Sequence, residues 1–324
     1  MGWRSWLGLM AFESMLSPML KPGDRVRLVS PASFPERAWV QESLAILERW
    51  GLVGEVGSHA LDSFGYMAGT DDDRLADLND AFRDPGVRAI VTTRGGAGAY
   101  RIADRIDFGA VSADPKPVVG FSDITFIQLA LMRHCGLAVI HGCLFGEQCQ
   151  PSVRQLLMTT DPVTLHRDPD AVSATISVPG QARGPLIGGN LAMLATSVGV
   201  CVPDLTGAIL FLEDQRVVGL GTIDRQLTQL IASGTLDGIV GIALGSFEAF
   251  RGYTDRAWTI TDVFADRLAT LGVPVLGGLF AGHDLVDAHG APDQFAVPLG
   301  TTATIDTTTG IFTAGPVVRD NPSG

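Results

Sequence analysis

An apolar stretch, Val118-Val119-Gly120, runs into Phe121-Ser122-Asp123-Ile124-Thr125 and from there into a helical pattern. A serine at such a strand-to-helix bend projects its hydroxyl above the sheet. The helix behind it presents free N–H groups, and its dipole favours developing negative charge. This is the logic of a nucleophile elbow, with Ile124 standing where the G-x-S-x-G pattern has its last glycine. The other reading is that Ser122 is only a helix N-cap, since serine is among the best. A serine hydroxyl is a weak nucleophile until a histidine takes its proton, and the histidine needs an acid to fix its tautomer. Glu213, at the end of the apolar run Ala208-Ile209-Leu210-Phe211-Leu212, is such an acid, or else simply a strand-to-loop carboxylate. Of the six histidines, His59, His134 and His166 lie in contexts that read as helix, turn or surface. His141 ends a strand and could line the same cleft. His283 and His289 both follow the glycine-rich turn after Pro274-Val275-Leu276.

Arg94-Gly95-Gly96-Ala97-Gly98 also invites a dinucleotide reading, but the G-x-G-x-x-G spacing would need a further glycine at Arg101. A nest of backbone N–H groups around an oxyanion suits it better, and a tight strand–helix turn is the plain alternative. Cys135, Cys143, Cys149 and Cys201 form neither a C-x-x-C pair nor a Cys/His set with zinc spacing. They read as reduced, mostly buried thiols. No metal and no cofactor is expected.

These residues must be held by α/β units. Apolar strands near residues 26–29, 52–56, 89–93, 118–121 and 137–140 alternate with helical patterns at 35–50, 97–106 and 123–135. A further helix starts at Thr70-Asp71-Asp72-Asp73 and stops at Asp84-Pro85-Gly86. Such alternation means βαβ units and a parallel sheet, whose ligands sit at the carboxyl ends of the strands. Residues 150–180 read as an irregular connector. A second unit follows, with strands near 208–212, 238–245, 273–276, 295–299 and 303–306 and helices near 190–198, 222–233 and 261–271.

The chain has 324 residues, 46% hydrophobic and 18% charged, an ordinary globular profile long enough for two domains. A formal net charge of −12 argues against a nucleic-acid partner and against docking on an anionic membrane. Arg4 followed by residues 6–12 faintly resembles a signal peptide. Glu13 interrupts the apolar run and no small-residue cleavage site follows, so a cytoplasmic protein with a frayed or loosely docked extension is expected.

Taken together, the motifs resemble one family. They are Gly65-Tyr66-Met67-Ala68-Gly69-Thr70-Asp71, Arg74 with Asp77-Leu78-Asn79, the Arg94–Gly98 segment, Pro117 and Gly120 through Thr125. His141-Gly142, Gly188-Gly189-Asn190-Leu191, Leu212-Glu213-Asp214, Ile223-Asp224-Arg225 and Gly282-His283 continue the series. In this order, over about residues 20–300, the chain resembles the L,D-carboxypeptidase (muramoyltetrapeptide carboxypeptidase) family of serine peptidases, which also includes microcin-immunity-type hydrolases. The resemblance implies α/β architecture: an N-terminal flavodoxin-like parallel sheet with flanking helices, plus a C-terminal swivelling β/α domain. It also implies a homodimer. The expected divisions are an extension over 1–19, a nucleophile domain over 20–149, a connector over 150–182, and a C-terminal domain over 183–324 carrying the acid and base. By position Ser122 is the nucleophile, His283 the base and Glu213 its orienting acid, with backbone N–H groups of Gly96 and Asp123 as the oxyanion hole. His283 is chosen over His289 because it keeps the register of the preceding strand, leaving residues 284–292 as an insertion. Arg94, Ala97, Asn190 and His289 are expected to contact substrate.

The chain departs from the family pattern in three places beside the cleft. Ala97 replaces an aromatic, Cys143 replaces a proline, and residues 215–221 lack an acid and a tyrosine. The implied reaction is hydrolysis of the L,D bond that releases D-alanine from a murein tetrapeptide. Alternatives on the same scaffold are an immunity-type hydrolase of a peptidyl- or aminoacyl-nucleotide antibiotic and an amide-forming acyl transferase. An intact Ser, Glu and His speaks against a binding protein without catalysis.

Overall fold

The computed structural model describes residues 14–215, 219–283 and 294–321. Five parallel strands form the first sheet: β2 (Arg25–Val29), β3 (Val53–Val56), β4 (Val87–Thr92), β5 (Val118–Gly120) and β6 (Val139–His141). Their order is β6-β5-β4-β2-β3. In chain terms this is the 2-1-3-4-5 order of flavodoxin-like folds. The buried strands are near-continuous Val, Ile and Leu because α1 (Arg37–Arg49), α2 (Asp71–Arg83), α3 (Phe108–Ala113) and α4 (Thr125–Cys135) pack around them. Thr70 starts α2 with a reciprocal capping box: its side chain accepts from the Asp73 N–H while Asp73 accepts from the Thr70 N–H.

The second sheet has eight strands in the order β7-β15-β14-β9-β10-β11-β12-β8. Its parallel centre is β9 (Gln181–Asn190), β10 (Ile209–Glu213), β11 (Gly241–Leu244) and β12 (Val275–Leu276). Antiparallel strands β7 (Val163–His166), β8 (Ser177–Val178), β14 (Thr302–Asp306) and β15 (Ile311–Ala314) flank it. Helices α6 (Leu191–Thr196), α7 (Leu220–Ala232) and α8 (Ile260–Leu268) connect the parallel strands.

Three sequence expectations change, and a fourth, the frayed or loosely docked start of the chain, resolves to its docked form. Residues 97–106 are not one helix but two 3-10 turns, Ala99–Arg101 and Ala103–Arg105, because Gly96 and Gly98 sit at φ +108° and +127°, outside the helical region. The stretch 150–182 is no irregular connector: it holds most of α5 (Cys149–Met158) and both β7 and β8. Residues 14–19 are docked rather than frayed. There β1 (Ser17–Pro18) pairs in parallel with β16 (Val318–Arg319), and the Met15 N–H donates to the Gly136 carbonyl. Lastly β13 (Val297–Leu299), expected in the C-terminal unit, returns to the first sheet and pairs antiparallel with β6. No helix among the described residues is long and apolar enough to cross a membrane.

Candidate active site

The carboxyl ends of β5, β6, β10 and β12 converge on one cleft. Gly120 ends β5 because any side chain there would strike Thr92 and Ile124. Phe121 is extended, and Ser122 then turns into the left-handed region at φ +63°. Only two other non-glycine residues among those described have positive φ, Arg256 and Ala257. A left-handed conformation costs an L-residue about 1–2 kcal/mol, and such strain gathers at functional sites. The helical segment Ser122–Ile124 and α4 start at once behind it, placing a helix N-terminus at the serine.

The Arg94–Gly98 segment lies directly against this elbow. A Cβ on Gly95 would come within 2.7 Å of Ser122 Cβ and 3.1 Å of its Oγ. Gly96 is exposed, and its neighbours are pinned: the Ala97 N–H donates to Ser33 Oγ at 3.1 Å, and the Ala99 N–H to Asp123 Oδ2 at 2.8 Å. Arg74, whose side chain is wholly buried, donates to the Gly98 carbonyl at 2.9 Å. Asp123 therefore offers a carboxylate that braces the segment as well as a backbone N–H at the elbow. Burial pushes that carboxyl up to about 6. Arg94 is half-buried over the Trp39 ring, 5.6 Å from its centroid.

Across the cleft, Glu213 is fully buried at the end of β10. Its Oε2 accepts from the His283 backbone N–H at 2.8 Å and from His283 Nδ1 at 2.6 Å. Gly282, at φ +110°, allows this approach, since a Cβ there would collide with Glu213. Burial alone would raise the Glu213 carboxyl. The charge on His283 and hydrogen bonds from His141 and His283 outweigh it and hold the group well below the usual carboxylate range. His283 moves the other way: burial would lower it, but the Glu213 charge and hydrogen bond raise it above the ordinary histidine value. With Nδ1–H committed to Glu213, the acceptor lone pair of a neutral His283 is at Nε2. The Phe121 ring, next to Ser122 in sequence, lies 5.0 Å from the His283 ring.

Asn190, expected to contact substrate, is buried and hydrogen-bonded within the protein. It is 3% exposed: its side-chain oxygen caps α6 by accepting from the Met193 N–H, and its amide donates to Asp214 at 3.1 Å. Both ends are committed to holding the β9–α6 junction. His289 and the segment 284–292 lie outside the described residues. His141, which its sequence context places in the same cleft, is 1% exposed and reaches Glu213 Oε1 with Nε2 at 3.3 Å. The signal available was its position at the end of β6, next to the elbow strand. Gln294, not anticipated from sequence, is 1% exposed with an amide that meets no hydrogen-bond partner among the described residues, beside a small cavity of about 10 Å³ shared with Phe121, His141 and Gly282. One group of potential metal ligands stands among the described residues, His59, Asp62 and Asp73, and it contains none of Ser122, Glu213 or His283.

Comparison with known proteins gives this geometry a context. Residues 26–142 match the LD-carboxypeptidase N-terminal domain and residues 183–305 the LD-carboxypeptidase C-terminal domain. The chain is 34% identical over 309 residues to a protein of Bacillus subtilis (strain 168) named "probable murein peptide carboxypeptidase", covering 91% of this chain and 93% of that one. It is 33% identical over 303 residues to the murein tetrapeptide carboxypeptidase of Pseudomonas aeruginosa, covering 87% and 93%. Among solved structures, an MccF-like protein from Bacillus anthracis str. Ames superposes with a TM-score of 0.81 at 25% identity, over 94% of this chain and all of that one.

Proposed function

The chain belongs to the LD-carboxypeptidase family of serine peptidases, and from that premise we propose that it releases the terminal D-residue of a murein tetrapeptide through a Ser122–His283–Glu213 triad. The observation that carries the reading is the buried Glu213–His283 pair, 2.6 Å between Oε2 and Nδ1, with the His283 ring 5.0 Å from that of Phe121, the residue before a serine held at a left-handed turn. His283 Nε2 takes the Ser122 hydroxyl proton as Oγ adds to the scissile carbonyl carbon. The resulting oxyanion is met by the N–H groups of Gly96 and Asp123 at the mouth of the α4 helix. Collapse breaks the C–N bond, and His283 returns its proton to the leaving amine. Water then adds to the acyl-enzyme, activated by the same nitrogen, and frees Ser122. Arg94 and Ala97 line the substrate side of the nest. The enzyme acts in the cytoplasm as a homodimer, the latter checked by sedimentation.

A second reading, hydrolysis of an aminoacyl-nucleotide conjugate, is favoured by the likeness to the MccF-like structure and by Ala97 and Cys143 in place of bulkier or stiffer family residues. A product assay separates the two. Purified enzyme is given a murein tetrapeptide and an aminoacyl sulfamoyl adenosine in parallel. Release of D-alanine from the first at a far higher kcat/KM supports the murein reading, and the reverse preference overturns it.

A further inference from the structure

The triad uses one oxygen of Glu213, and the other faces His141. Oε2 is taken by His283, while Oε1 lies 3.3 Å from His141 Nε2. What that contact can be is decided on the far side of the His141 ring. There Gln128 donates from Nε2 to the Gly120 carbonyl at 2.8 Å and to the Ile140 carbonyl at 3.0 Å. Carbonyl oxygens only accept, so the orientation of the amide is fixed and its Oε1 is the atom facing His141 Nδ1, at 3.2 Å. An amide oxygen cannot donate, so Nδ1 must carry a hydrogen. A neutral ring protonated at Nδ1 has a bare lone pair at Nε2. That lone pair would then point at a carboxylate oxygen, with His141 1% and Glu213 0% exposed. A second ring proton turns this repulsion into a charge-assisted hydrogen bond.

We propose that His141 is an imidazolium throughout the working range of the enzyme, a positioning residue that anchors Glu213 from behind and sets the basicity of His283. The proposal rests on reading Glu213 and His283 as the acid–base pair. Glu213 then sits between two histidines, one with a standing charge and one that titrates. The buried carboxylate keeps a charged partner when His283 is neutral, the state in which it would otherwise be alone in a dry site. When His283 takes the proton of Ser122, a like charge already stands on the other side of the carboxylate, so the proton is held less tightly and passes more readily to the leaving amine.

The groups around His141 allow this assignment. Glu213 and Asp214 come from the end of β10, His283 from the turn after β12, and Cys143 and Cys149 line the adjoining cavity. Asp214 is occupied by the Asn190 amide and the Ala192 N–H. The α4 and β9 residues on this side are neutral: Gln128, Thr125 and Gly189.

The test has two parts. In enzyme with ¹⁵N-labelled histidines, both ring nitrogens of His141 should read as protonated at pH 7–8; a neutral ring overturns the proposal, and this measurement needs no variant. In His141→Gln, which can still donate to Glu213 but carries no charge, the acid limb of kcat/KM should move up by about one pH unit. The variant should then be about tenfold slower below the limb and recover to within a few-fold at high pH. A uniform loss at every pH with the limb unmoved would mean a structural role and would also overturn it. Should Glu213→Gln retain full activity, the acid–base reading falls, while the nitrogen spectrum still decides the charge on His141.

Discussion

Ser122 sits at φ +63°, and its side chain fills the space that a side chain on Gly95 would need. Ser122→Ala keeps the strain and removes the proposed nucleophile, so turnover should fall by about 10³-fold or more with an unchanged melting temperature. Ser122→Gly should be equally inactive but more stable than Ser122→Ala by about 1 kcal/mol, because glycine adopts the left-handed region freely. Thermal denaturation of the two variants side by side checks this; equal stabilities would remove the argument for strain at the elbow. The proposed base, His283, has its own signature. His283 is raised above 6.5, chiefly by the Glu213 charge working against burial, and a protonated ring cannot accept from Ser122. Activity should therefore be present at high pH and lost as pH falls through a value above 6.5. Glu213→Gln removes the raising charge, so its residual activity should show an acid limb at lower pH than wild type. A limb that stays put or moves up in kcat/KM profiles would contradict a Glu213-paired base.

At the scale of elements, the site depends on how closely two glycine-bearing turns let neighbouring backbones approach. Gly95→Ala introduces no φ penalty, since Gly95 is not in the left-handed region, so its effect comes from contact with Ser122 alone. Displacing the nucleophile by a fraction of an ångström should cost about 10²-fold in kcat while overpacking costs only about 1–3 kcal/mol of stability. A folded Gly95→Ala enzyme with wild-type kcat would show that the nest does not fix the serine. The elements themselves were legible where one physical signal dominated. Strand β5 is wholly apolar and β10 is apolar up to Glu213, and Thr70 with Asp73 marks the start of α2. Reading failed where long-range pairing decided the outcome. Residues 297–299 look like any C-terminal strand, and nothing local says they pair with β6. The run from Ala97 to Ile106 has helical composition, but Gly98 and the hold of Asp123 on the Ala99 N–H break it into 3-10 turns. Asn190 shows a related ambiguity: at the end of a strand a cap and a substrate contact look alike in sequence, and its bond to Asp214, 24 positions away, is not legible there. The sequence places His141 in the cleft but not its contacts, because these are set by Gln128 and Glu213 on different elements.

The proposed nucleophile, Ser122, stands on one sheet and its proposed acid and base, Glu213 and His283, on the other, so this mechanism requires the two sheets to hold their mutual position. Three seams do this. β13 leaves the second sheet's sequence territory to pair with β6, and at its end the Gly300 N–H donates to the Leu186 carbonyl at 2.7 Å while the Leu186 N–H donates to Thr301 at 2.8 Å. The start of the described chain closes against its end through β1 and β16, and Met15 accepts from the Ala138 N–H at 2.9 Å. At the cleft itself the Asn190 N–H donates to Thr125 Oγ1 at 3.2 Å, tying β9 to the first turn of the elbow helix. Each seam inserts residues of one half into the hydrogen bonding of the other, so neither sheet can melt without exposing the partner's backbone groups. A chain of this length with two sheets would ordinarily be expected to unfold in steps. Here a single transition is expected. In a background with Trp3, Trp6 and Trp258 replaced by Phe, Trp39 and Trp50 report on the first half, and far-UV circular dichroism reports on the whole chain. Their urea curves should coincide, and the calorimetric and van't Hoff enthalpies should agree. Removing residues 315–324 strips β1 of its partner and takes away Val317 and Val318, both fully buried, for a loss of roughly 3–5 kcal/mol. That loss should lower the transition seen by Trp50 as much as the one seen by circular dichroism, although the deleted residues belong to the other end of the chain. Two separated transitions, or a Trp50 signal indifferent to the truncation, would mean that the halves are independent bodies and that the cleft is held by something other than these seams.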